Sequence, residues 1–280
     1  MSTLTQRAPL DCPRCRQPQP RGTHHCLHCG ARMVVRPEQR RLLDEYSGVD
    51  PWLYLGLGLV TAPVLAFLPV LSFMGWFLSS LVHEMGHACA AWLCGMPAFP
   101  AISLEGHAAA VHSEQFVPLA LLFTFGMCFF AWRALEGRTR YVVCGAIVLV
   151  HSLLCYTGAR EVLHLSAGHL AEYAFACMCL FRALSGGYTS SRTERALHGT
   201  LGWYLLGKNL WLCWGLVTSG GARALYHSNG SFGMTNDYIR LADDVLGWQL
   251  QTVAGGMLLV GACVLPAAFV LWRFYERARD

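Results

Sequence analysis

Two groups of residues in this chain have the types and spacing of metal ligands. The first is His83-Glu84-Met85-Gly86-His87, within LSSLVHEMGHACAAWL (78–93). Histidines four apart fall on one helix face about one turn apart, so both imidazoles can reach one ion. A zinc held there would lower the pKa of a water to about 7, and the neighbouring Glu84 would take its proton as general base. Gly86 would let another backbone approach closely. The second group is Cys12, Cys15, Cys26 and Cys29, as CPRC and CLHCG. Two CxxC knuckles at this spacing read as a zinc ribbon, each turning two thiolates toward one point, with Gly30 permitting the tight turn. His24, His25 and His28 are spare ligands beside it. The other nine of the 13 cysteines lie in or beside apolar segments, where Cys acts as a small hydrophobe.

The elements that must position these residues are membrane elements. Of the 280 residues, 54% are hydrophobic and 14% charged, well under the roughly 25% charged of a soluble domain. Apolar stretches cover 52–73, 75–95, 116–132, 141–157, 161–181, 199–219 and 247–272, and about 20 residues suffice to span the hydrocarbon. The expected fold is therefore an all-α polytopic membrane protein of six to seven membrane helices with a small N-terminal zinc-ribbon module. Its organisation is a cytosolic ribbon (1–35), a linker (36–50) and a transmembrane domain (51–280). The polar N-terminal segment holds no signal-peptide apolar run. The formal charge of +4 is spread over loops and a tail, with no basic patch calling for nucleic acid.

Basic residues suggest the orientation. Eight arginines precede residue 42, and groups of three follow the third segment, the fifth segment and the last. Placing these in the cytosol, with Arg160, Arg223 and Arg240 opposite, satisfies the positive-inside rule. Both termini are then cytosolic and the protein sits in a plasma or inner membrane. That parity requires 52–73, 75–95 and 116–132 to cross only twice between them, so one is re-entrant. PAFPAISLEGHAAAV (97–111) reads as a membrane-dipping hairpin.

An ionised glutamate near the bilayer centre costs about 3 kcal/mol or more, so Glu84 between two histidines marks a site. HEMGH resembles the HExGH motif carried on a membrane helix by the site-2 protease family of zinc intramembrane metalloproteases. The resemblance covers the motif and the multi-helix body. It implies zinc-dependent hydrolysis of peptide bonds in or near a substrate's transmembrane segment, with His83 and His87 as ligands and Glu84 as base. The hairpin-like stretch after the motif also resembles a membrane-dipping element of that family. The family draws its third ligand from a later LDG motif, and this chain contains no DG.

The fifth segment, REVLHLSAGHLAEYAFACMCLF, offers a replacement. Glu161, His164, His169 and Glu172 lie within about 140° of one helix face at 100° per residue. A polar stripe of that kind faces the protein interior or a wet cavity. Glu172 is the expected third ligand, with His169 as its outer partner or an alternative ligand. Lys208, inside the sixth segment, would displace Glu172 from that role by pairing with it. Asp237, in TNDYIRLADD, is a further candidate, although Asn236-Asp237 reads first as a helix N-cap. His107, His112 and His151 read as loop or packing residues.

Two zinc ions are expected, one catalytic in the membrane and one structural in the ribbon. The expected partners are the lipid bilayer, a membrane-protein substrate, and a cytosolic protein recognised by the ribbon. The competing reading is a non-catalytic scaffold or metal-transport protein that keeps the HExxH helix.

Overall fold

The computed structural model describes residues 10–12, 14–19, 26–30, 50–102, 108–187, 189, 191–228 and 236–279. His24, His25, His107 and the linker up to residue 49 lie outside these, as does the side chain of His112. The chain is mostly helical and separates into two units, Met1–Val49 and Asp50–Asp280.

In the first unit, strand β1 (Leu10–Asp11) pairs antiparallel with β2 (Pro18–Gln19). The two knuckles share one device. The residue after each second cysteine is left-handed, Arg16 at φ 56° and Gly30 at φ 68°. Each chain reversal is closed by a backbone hydrogen bond, Arg16 N to Cys12 O at 2.8 Å and Gly30 N to Cys26 O at 2.9 Å.

The second unit begins with α1 (Pro51–Phe67), whose first turn is capped by Asp50 Oδ1 accepting from Trp52 N at 2.9 Å. Leu68 is extended because Pro69 disfavours helix at the residue before it. The chain therefore breaks there, and α2 (Pro69–Leu93) leaves at 102° to α1. After α2 the chain forms a β-hairpin, β3 (Ala98–Ile102) with β4 (Ala108–His112), in the register Ala98 to His112. The indole of Trp92 donates to Ala98 O at 2.7 Å and ties the hairpin to the end of α2.

Helices α3 (Val117–Ala134) and α4 (Gly137–Tyr156) bury almost nothing of their own: Ala120 in one, His151 and Cys155 in the other. Their exposed faces are Phe, Val and Leu, a surface suited to lipid. Among the described residues, three helices are long and apolar enough to cross a membrane: α3, α4 and the run Leu250–Ala278. That run consists of α9 (Leu250–Ala262) and α10 (Val264–Arg279). The bent pair α1–α2 makes a fourth if it counts as one span. His151 has the packing role expected of it: Nε2 donates to Leu93 O at 2.9 Å and Nδ1 meets Thr124 Oγ1 at 2.8 Å.

Helices α5 (Ala159–Ser185) and α6 (Arg192–Thr218) have 27 residues each, about 40 Å at 1.5 Å per residue. They carry polar residues inward and form the interior of the unit. Leu180, Leu184, Leu205 and Leu216 make the apolar core between them. The buried Arg195 closes the end of α5, donating to Ala183 O at 2.7 Å and Leu184 O at 2.5 Å while lying over the Tyr54 ring. Beyond α6 lie α7 (Gly220–Ser228) and α8 (Asp237–Arg240), the latter running into a π-helical turn at Leu241–Leu246.

Small residues set how closely these helices approach. A Cβ on Gly199 of α6 would come to 2.5 Å from Tyr54 O of α1, and one on Gly58 to 2.4 Å from the Gly199 carbonyl carbon. Thr61 and Thr200 hydroxyls bridge the same crossing at 2.6 Å. Gly199→Ala should destabilise the unit by about 1–3 kcal/mol through overpacking. Gly56→Ala, where a Cβ meets nothing within 4 Å, should not. Thermal unfolding of both variants in detergent checks this.

Candidate metal centre

The motif helix α2 and the central helix α5 touch at paired glycines. A Cβ on Gly86 would lie 2.4 Å from Ala167 O, and one on Gly168 would lie 2.5 Å from His83 Nε2 and 2.6 Å from His87 Nε2. The backbone that Gly86 admits is thus that of α5. In return, Gly168 leaves the space into which both imidazoles point.

Each imidazole is oriented by what its other nitrogen meets. His87 Nδ1 lies 2.7 Å from the His164 carbonyl, which only accepts, so this nitrogen carries the hydrogen and Nε2 keeps its lone pair. His83 Nδ1 faces Glu172 Oε2 at 3.3 Å, which fixes the same tautomer. The two Nε2 atoms are 3.1 Å apart. Asp237 Oδ2 completes the triangle, at 3.0 Å from His83 Nε2 and 3.1 Å from His87 Nε2. With both imidazoles neutral the three atoms are all lone-pair acceptors, and a cation among them, a metal ion or a proton on one imidazole, holds them together. Ligands at 2.0–2.1 Å around a tetrahedral zinc stand about 3.3 Å apart, so the triangle fits such an ion closely.

Glu172 sits elsewhere than expected. It was to meet the metal beside His83 and His87, but its Oε2 lies on the Nδ1 side of His83 and 3.4 Å from His169 Nδ1. Its Oε1 accepts from the Ser79 hydroxyl and lies 3.5 Å from Lys208 Nζ. This is the pairing with Lys208 that takes Glu172 away from the ligand position. The carboxylate facing the two Nε2 atoms is that of Asp237. Nor does Asn236 cap the helix with its side chain: Nδ2 donates to Tyr226 O at 2.6 Å, and Asp237 at the first helical position turns to the histidines.

His169 is held from three sides. Asn209 Nδ2 donates to Leu205 O at 3.0 Å, so its Oδ1 accepts from His169 Nδ1 at 2.8 Å. The ring stacks on Tyr238, centroids 4.2 Å apart, and meets His83 edge-on at 4.6 Å. His83, His169 and Asp237 each place one ligand atom within 4.8 Å of the others, so His169 stands at the margin of the triangle. Glu84 is buried on the motif helix, with 7% of its surface exposed. Glu161 and His164 lie toward the start of α5, where with Arg160, Arg240 and Asp244 they line a cavity of about 190 Å³. The His164 ring is 5.2 Å from that of His87, so this polar cavity adjoins the centre.

The four ribbon cysteines also converge and could hold a metal ion. Cys12 and Cys29 sulfurs are 3.7 Å apart, Cys15 and Cys26 sulfurs 3.5 Å, near the roughly 3.8 Å edge of a tetrahedral site with 2.3 Å bonds. A backbone hydrogen bond from Cys15 leads the effects that bring the Cys12 thiol down to about 6. A backbone hydrogen bond from Gln17 favours the Cys15 thiolate, but desolvation and the neighbouring sulfurs push that thiol up to about 12. Four sulfurs this close cannot all ionise without a cation among them.

Comparison with protein-family models, with curated proteins and with solved structures finds no match to this chain.

Gly168→Ala should weaken cation binding by the His83–His87–Asp237 triangle about tenfold or more, since the added methyl overlaps both Nε2 atoms and overpacking costs about 1–3 kcal/mol. Gly207→Ala, open to space on α6, should leave it unchanged. Metal titration of the purified full chain reads both.

Proposed function

We propose that this protein is a zinc-dependent intramembrane endopeptidase, similar in its HExGH motif to the site-2 protease family, that hydrolyses peptide bonds in or near transmembrane segments of membrane proteins. The observation that carries the proposal is the triangle of His83 Nε2, His87 Nε2 and Asp237 Oδ2 at 3.0–3.1 Å, on a helix whose motif glutamate, Glu84, is buried. Asp237 takes the place of the family's LDG aspartate, approaching from a short helix rather than from the polar stripe of α5.

Zinc, when bound, polarises a peptide carbonyl and acidifies water. The chain's own residues do the remainder. His83 and His87 present neutral Nε2 atoms because Glu172 and the His164 carbonyl hold their Nδ1 hydrogens. Glu84 accepts the proton of the attacking water and passes it to the leaving amide nitrogen. Gly86 and Gly168 keep side chains out of the space between the helices. The polar cavity beside His164 supplies the water that lipid does not.

The body is proposed to be multi-pass, with α5 and α6 as interior crossings, both termini cytosolic, and six to seven membrane helices in all. The ribbon holds a second, structural zinc and recognises a cytosolic partner or the substrate. It has the four thiolates for a closed site and none of the open coordination that catalysis needs.

Elemental analysis of the purified full chain should find two zincs. Asp237→Ala and the His83→Ala/His87→Ala double variant should each hold one, while Glu172→Gln should still hold two when zinc is in excess. Glu84→Gln should keep both zincs and lose about 10²–10⁴-fold in cleavage of a transmembrane reporter, the usual contribution of a general base. Two zincs with cleavage untouched by Glu84→Gln would sink the enzyme reading. Two zincs with no cleavage of any substrate would leave the metal-holding scaffold in its place.

A further inference from the structure

We propose that Lys208, acting through Ser79 and Glu172, is a positioning residue that holds His83 in the orientation that binds metal. This rests on the metal centre proposed above and adds to it a residue that touches neither the metal nor the substrate.

A lysine in a membrane helix ordinarily sends its ammonium outward to the interface. Lys208 has the room to do so, with 42% of its side chain exposed. Its ammonium is instead turned inward, donating to the Ser79 hydroxyl and standing 3.5 Å from Glu172 Oε1. The direction of each bond follows from the chemistry. Lysine can only donate, so Ser79 accepts from it and spends its own hydrogen on Glu172 Oε1. The other carboxylate oxygen is thereby left for His83 Nδ1, at 3.3 Å. The chain of donors runs Lys208 to Ser79 to Glu172, and His83 donates to the same carboxylate from the far side.

The arrangement spans three helices: Ser79 and His83 on α2, Glu172 on α5, Lys208 on α6. Ser79 is fully buried and Glu172 is 1% exposed, so water cannot substitute for either partner. The residue after Lys208 acts in the same way, since Asn209 accepts from His169. One turn of α6 thus fixes both polar side chains that α5 presents to His83. Without Lys208, one anchor of the Ser79–Glu172 pair is gone. The carboxylate can then turn about its own bond, and His83 Nδ1 loses a fixed acceptor. Partners of this kind typically contribute 10–100-fold to metal affinity or activity.

The test measures zinc affinity by chelator competition on the full chain, together with reporter cleavage as a function of free zinc. Lys208→Met and Ser79→Ala should each weaken the membrane-site zinc about 10–100-fold and leave the ribbon zinc unchanged. Excess zinc should restore occupancy and most of the cleavage, and Lys208→Arg, which keeps the charge, should bring affinity back close to wild type. Unchanged membrane-site affinity in both Lys208→Met and Ser79→Ala overturns the positioning role while leaving the metal centre standing. A loss that neither excess zinc nor Lys208→Arg repairs is a folding defect and overturns it too. A wild-type chain that binds only the ribbon zinc overturns the metal centre and the positioning role together.

Discussion

The closeness of α2 and α5 governs the rest of the second unit. Helices that carry ordinary side chains at their contact pack 8–10 Å apart. Here Gly86 sets its Cα against the Ala167 carbonyl, and Gly168 against the rims of two imidazoles. A methyl group at either position would enter space already occupied. With the helices this close, the His164 carbonyl of α5 reaches His87 Nδ1 and Glu172 of α5 reaches His83 Nδ1. The small residues therefore bring the backbones together and also determine which nitrogen of each histidine faces the centre.

Membrane helices have little hydrophobic drive to associate, because lipid tails are as apolar as leucine, and close packing with interhelical hydrogen bonds does the work instead. Close packing and interhelical hydrogen bonds of that kind occur at interior crossings of the second unit. Gly58 meets Gly199 where α1 crosses α6, with Thr61 bonded to Thr200 beside them. Tyr204 lies against Gly75 where α6 meets α2, within a turn of Ser79 and Lys208. Helices α3 and α4 lack such contacts along most of their length and present phenylalanine, valine and leucine outward. Polar residues and small residues thus occur on the same helices, as a buried hydrogen-bond network needs close backbones to exclude gaps.

What could be read from the chain follows from which constraints are local. The histidine spacing of HEMGH is a property of one helix, and the cysteine spacing of the ribbon is a property of two short turns, so both groups could be named from residue types alone. The polar stripe of α5 was equally visible, because Glu161, His164, His169 and Glu172 share one face of a single helix. Which of those groups would face the metal depended on contacts between helices. Ser79 and Lys208 capture one oxygen of Glu172, and neither is near it in sequence. Lys208 was recognisable as a competitor for Glu172, since a lysine inside an apolar segment seeks a carboxylate. Ser79 gave no signal, being one serine among several.

Asp237 stands in the sequence only as a further candidate because its local pattern already fits a helix start. An asparagine–aspartate pair before a short amphipathic run satisfies the pattern of a helix start, and a helix does start there. The ordinary use of such residues is to bond the first turn's own N–H groups. Here Asn236 turns back to the Tyr226 carbonyl, which frees the first helical position to point elsewhere. Tyr238, next in the chain, is buried against the His169 ring. That stacking anchors the short helix to α5 one residue from the carboxylate. Asp237 therefore meets His83 and His87 because its neighbours on both sides are committed to other elements. Even with its π turn, the helical run Asp237–Leu246 is too short to have much stability of its own, so the placement of its carboxylate depends on Asn236 and Tyr238.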